Sequence, residues 1–238
     1  MSEESNHAAG TVPSALPDKV VEVGPDRDRS RLASPERVVT LSDGVFAIVL
    51  TILVLEIAVP EGLSEQSLRQ VLESLRPTLV AWVISFLITA MFWVVHRDLF
   101  SRVKTVNRDL VWLNLLFLLP VSLIPFAASV LGKYPDEPVA LHLYGVVMIA
   151  ATVMRTVLYW YVIRRPALLW PDVVPERSGL VLTIAASPIV VYALAMAVAA
   201  VSAPLSLVLY FSVPGLYFLL VTLLREQAST RTEADEFT

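Results

Sequence analysis

The chain has 238 residues, 56% of them hydrophobic and 17% charged, with a formal net charge of −4 and a mean hydropathy of +0.68. A soluble domain carries about a quarter charged residues, so this composition points to a membrane protein. The acidic balance argues against nucleic acid as a partner, and the absence of cysteine excludes disulfides, iron–sulfur clusters and thiolate zinc sites.

Residues 1–36 mix Ser, Pro, Glu, Asp and Arg without an apolar period, which predicts a disordered tail rather than a packed element. No apolar run follows a basic start there, so the segment does not read as a signal peptide. A membrane helix needs about 20 mostly apolar residues. Residues 37–59 form the first such span. Residues 77–95, PTLVAWVISFLITAMFWVV, form an uncharged second. Between them, 61–76 places Leu63, Leu68, Val71, Leu72 and Leu75 at near-helical spacing, as in a short amphipathic helix at the outer surface.

Residues 110–132 and 138–163 form the third and fourth spans, the latter interrupted by His142 and Arg155. Between Arg177 and Arg225 there is no Asp, Glu, Lys, Arg or His. That stretch fits two spans joined by a turn, and Ser202-Ala203-Pro204 supplies it because proline cannot continue the preceding helix. Residues 226–238 form an acidic tail. The expected architecture is therefore all-α: a polytopic membrane domain over 37–225 with six transmembrane helices per chain.

Orientation follows from the basic residues, which accumulate on the cytoplasmic side. Arg97, Arg102, Lys104 and Arg108 lie in the loop 97–109, and Arg164, Arg165 and Arg177 in the loop 164–177, while the alternate loops are poorer in basic residues. Both termini are then cytoplasmic.

No hydrolase, nucleotide-binding or metalloprotease motif is present, so nothing marks an enzyme. His7, His96 and His142 form no local metal-ligand spacing, and no cofactor is indicated.

The first span is the most informative. On an ideal helix Leu41, Gly44, Ile48, Thr51 and Leu55 fall on one seam, the spacing of a helix packed along copies of itself; an ordinary buried membrane helix gives the same periodicity. Asp43 lies about 140° from Ile48 and so faces the chain's other helices. Ionisable groups in a span usually pair inside the protein. Trp93 and His96, three residues apart on one face of the second span, are the expected partners, with Arg37 joining from above or from another subunit. Such a network fixes the first span against the second; a proton relay is the alternative role. Glu56, about 80° from Ile48, reads as an interfacial carboxylate near the outer mouth.

Arg37-Val-Val-Thr-Leu-Ser42-Asp43, followed by GVFAIVLTILVLEI, resembles the first-helix signature of the transmembrane protein 175 family of potassium channels. Arg37, Ser42 and Asp43 match it, with Leu41 in place of the family's phenylalanine. Ser85–Phe86, Trp93–His96, Asn114, Pro125–Phe126 and Tyr144–Gly145 are also similar to the family. The resemblance implies a homotetrameric cation channel in a bacterial plasma membrane, surrounded by lipid, with the first helices lining a central pore. Potassium ions would be bound only in transit, and protons remain open as a second permeant ion. The family's constriction then falls on Ile48, its threonine on Thr51 and a second apolar ring on Leu55. These sit on the seam derived above, and they provide a hydrophobic gate instead of a filter built from backbone carbonyls. A secondary transporter, which would show related halves and broken helices, and a non-conducting scaffold are the rival readings.

Overall fold

A computed structural model of the chain describes residues 34–57, 68–171 and 178–217. The expected tails at 1–36 and 226–238 lie outside these residues, save for Ser34 to Glu36. The elements are all helical: α1 Glu36–Leu55, α2 Leu68–Ser74, α3 Arg76–Phe100, α4 Arg108–Ser122, α5 Ile124–Lys133, α6 Pro138–Ile163, a 3₁₀ turn Pro166–Leu168, α7 Ser178–Ala199 and α8 Ala203–Tyr217. Among the described residues, five stretches are long and apolar enough to cross a membrane, counting α4 and α5 as one, and α8 is a shorter apolar helix. The chain is thus an integral membrane protein, and the expected spans recur in order. The last two are separated at residues 200–202, just before Pro204.

The third span is not continuous. Pro120 lies inside α4, and Pro125 sits in the first turn of α5. Each removes a backbone donor, and the helix breaks at Leu123 in the middle of the span. Ser122 donates to the Leu119 carbonyl, covering one acceptor near the break. Apart from Ser122, whose hydroxyl is used on the Leu119 carbonyl, the side chains from Leu119 to Ile124 are apolar.

Of the amphipathic segment expected at 61–76, α2 and the start of α3 are described. Val71 and Leu75 are buried, whereas Leu68 and Leu72 are exposed. Gly132 lets α5 approach α3 closely, since a Cβ there would meet the Thr78 Cα at 2.9 Å. The core draws on α1 and on α3 to α8, with Phe46, Phe92, Phe117, Ile124, Leu141, Tyr192 and Tyr210 fully enclosed.

The two basic loops meet. Lys104 N–H donates to the Leu168 carbonyl (2.8 Å), Trp170 N–H donates to the Arg102 carbonyl (3.2 Å), and Val103 bridges Leu169. Asn107 caps α4 by accepting from Leu110 N–H, and its amide donates to the Tyr161 hydroxyl (2.9 Å). That hydroxyl donates to Asp109 (3.0 Å). The ends of α3, α4 and α6 are therefore tied together on one side of the bundle.

Candidate functional site

α1 has two faces of unlike character. Val38, Ser42, Phe46, Val49 and Leu53 are buried, and their spacing of three and four residues is that of one helical stripe. This stripe packs on α3, α4 and α5. The opposite face is uncovered. Leu41 is 50% exposed, Ile48 58% and Leu55 74%, with Gly44 and Thr51 exposed between them. A Cβ built on Gly44 would meet nothing within 4 Å. No element of the chain's own described residues closes this seam.

Thr51 adds a polar atom to it. Its hydroxyl donates to the carbonyls of Ala47 and Ile48, each at 2.9 Å. The hydrogen is thereby committed to the helix's own backbone, and the oxygen lone pairs remain as acceptors on the exposed face.

Behind the seam, polar groups join α1 to its neighbours. The Trp93 indole N–H donates to Asp43 Oδ1 at 2.9 Å, and Arg97 lies over the Trp93 ring at 5.4 Å. Ser42 donates to the Val38 carbonyl (2.9 Å) and accepts from Asn114 Nδ2 (2.9 Å), while Asn114 Oδ1 meets His96 Nε2 at 2.8 Å. With the Asn114 amide donating to Ser42, its oxygen must accept, so His96 carries its proton on Nε2. The His96 ring is enclosed by aromatic side chains. It stacks on Phe117 at 5.7 Å and lies 4.6 Å from Phe100 and 5.8 Å from Phe46.

The expected single network of Asp43, Trp93 and His96 is therefore two separate ties. The reason is helical geometry: Ser42 and Asp43 are about 100° apart on α1. Ser42 faces inward to Asn114 and His96, and Asp43 sits on the exposed edge, where among the described residues it bonds Trp93. Arg37 is exposed and makes no ion pair with Asp43. Asn114 was legible only as a weak family likeness, although an amide inside an apolar span is itself a signal that a polar partner lies on another helix.

Two further likenesses also meet in space. Ser85 and Tyr144 share a hydrogen bond of 3.0 Å between α3 and α6, and Tyr144 packs edge-on against Tyr210. Leu53, about 140° from Ile48, is fully buried and belongs to the packed face.

A family model described as the endosomal/lysosomal potassium channel TMEM175 matches residues 37–125. A potassium channel of Streptomyces collinus is 37% identical over 72% of this chain and 85% of its own length. A potassium channel of Chryseobacterium sp. is 39% identical over 54% of this chain and 65% of its own length. The human endosomal/lysosomal proton channel TMEM175 is 28% identical over 60% of this chain, which spans 28% of the human protein. The crystal structure of a lysosomal potassium-selective channel TMEM175 homologue from Chamaesiphon minutus superimposes with a TM-score of 0.68 at 28% identity, over 78% of this chain and 96% of that one.

Proposed function

This chain belongs to the TMEM175 family of ion channels, and on that premise we propose that it forms a potassium-permeable cation channel. Four copies of α1 line a central path, narrowed by Ile48 and flanked by Thr51 and Leu55. The observation that carries this reading is the uncovered Leu41–Gly44–Ile48–Thr51–Leu55 seam, opposite a fully packed face of the same helix. The self-packing period of the seam supports association of copies, and only the family likeness supplies the number four.

The mechanism follows from the side chains. Ile48 is branched at Cβ and stiff on a helix, so a ring of them makes a defined constriction. It offers no oxygen to replace hydration water, and a dry apolar ring gates by dewetting. The Thr51 acceptors lie about one turn beyond and receive the ion as it regains its shell. Potassium passes more readily than sodium because the smaller ion holds its water more tightly. The Ser42–Asn114–His96 and Asp43–Trp93 ties hold α1 in register against α3 and α4, so the constriction keeps its diameter. The pairing of the two basic loops on one side supports a cytoplasmic placement of that side and of both termini.

Flux into proteoliposomes tests the reading. Potassium should cross at channel rates down its gradient, and protons are the second ion to measure, because relatives are named for either ion. Saturable uptake coupled to another ion, or no flux under any gradient, would overturn it.

A further inference from the structure

Arg155 lies in α6, buried to 8% exposure. It stands eight residues before the helix end at Ile163, about 12 Å along the axis from the basic loops. A guanidinium cannot shed its charge there, and a buried cation is strongly disfavoured unless something compensates it. Its Nη2 donates to the Ala185 carbonyl on α7. That carbonyl sits three residues before Pro188, where the proline disturbs the helix's own hydrogen bonding; Ser187 similarly donates to Ile184 at 2.9 Å. This capping uses one edge of the guanidinium. Nε is buried without a partner, and none of the ion pairs among the described residues includes Arg155.

Arg155 also lines a cavity of about 260 Å³ between α3, α6, α7 and α8. The rest of the wall is mainly apolar, including Met91, Phe92, Val191 and Val213. Ile184 and Leu216, which also line it, are exposed, so the cavity reaches the surface of the chain between apolar spans. It contains none of the α1 seam residues.

We propose that this cavity is a binding site for an acyl-chain amphiphile with an anionic head. The head pairs with the Arg155 guanidinium, and the chain lies among Met91, Phe92, Val191 and Val213. The occupant follows from charge and location. The counter-charge missing among the described residues must be negative, the wall is mainly apolar apart from Tyr159, Ser187 and Tyr217, and the cavity opens between helices apolar enough to sit in lipid. A fatty-acid carboxylate and an anionic phospholipid share this chemistry. The depth of Arg155 favours the smaller head, which can sit below the headgroup plane.

The site is tested on the full chain, purified in a neutral detergent and incubated separately with oleate and with phosphatidylglycerol. Native mass spectrometry and thermal unfolding serve as readouts. Wild-type protein should retain oleate and gain thermal stability from it. In Arg155→Gln retention should weaken about tenfold, the loss expected of one charge-assisted hydrogen bond, and Arg155→Lys should recover part of it. Val213→Trp fills the cavity without altering charge and should also abolish retention. Retention of phosphatidylglycerol with the same response to the variants would assign the head to a phospholipid. Equal retention in wild type, Arg155→Gln and Val213→Trp, or none in wild type, would overturn the proposal. Neither readout requires conduction, so failure here is separable from failure of the channel reading.

Discussion

The two faces of α1 differ in what holds them. The inner stripe has its partners within the chain: Phe46 is enclosed among His96 and Phe117, and Ser42 completes a hydrogen-bonded relay. The outer seam, Leu41, Gly44, Ile48, Thr51 and Leu55, has the same helical period, yet it is left exposed by the described residues. The same helix is therefore a structural strut on one side and, on the channel reading proposed above, the pore-lining surface on the other. Substitutions on the inner face should cost stability, and those on the seam should change conduction.

The largest stability effect is expected at Phe46. Truncation to alanine empties a fully buried aromatic site and should cost about 3–5 kcal/mol, seen as loss of folded protein in thermal unfolding in detergent. If Phe46→Ala unfolds like wild type, the inner face is not the strut described here.

Asn114→Leu comes next. It removes two interhelical hydrogen bonds and leaves His96 Nε2–H and Ser42 without that partner. Hydrogen bonds between membrane helices are worth about 0.6 kcal/mol on average, and up to about 1.7. A loss of about 1–3 kcal/mol is expected, since a buried donor is left unmade. His96→Leu combined with Asn114→Leu should recover part of this loss, because the orphaned donor is then gone; a strictly additive double variant would speak against the relay.

Asp43 lies on the border between the faces, and its effect should be smaller. Asp43→Asn keeps an acceptor for the Trp93 indole and should unfold within about 0.5 kcal/mol of wild type. Asp43→Ala removes the acceptor and should cost about 1 kcal/mol. Equal melting of the two variants would mean that the Trp93 bond carries no weight.

The smallest stability change, and the clearest functional one, is expected at Ile48. An exposed substitution away from packing shifts stability by less than about 0.5 kcal/mol. Ile48→Asn places amide donors and acceptors in the proposed apolar ring, so leak should rise and potassium preference fall in proteoliposome flux. A variant that keeps its selectivity while losing stability would reverse the assignment of the two faces.

Helical periodicity is local, so the sequence alone already carried much of this. The apolar runs and the turn before Pro204 set the number and order of the spans. The spacing of Leu41, Gly44, Ile48, Thr51 and Leu55 defined the seam, because residues three and four apart share a helix face whatever surrounds them. Pairing across helices is a different matter. Asp43 and His96 stood at matching depth and were expected to bond, but depth does not specify the azimuth of one helix against another. Only the packed bundle turned His96 toward Asn114 and left Asp43 to Trp93. The break at Leu123 lies between two prolines on one span, Pro120 and Pro125. Arg155 was visible in the sequence as a lone charge in an apolar span. That it is buried beside a cavity, with its Nε unpaired, depends on where α6, α7 and α8 meet, which is set by packing between segments distant in the chain and not by the spacing within any one of them.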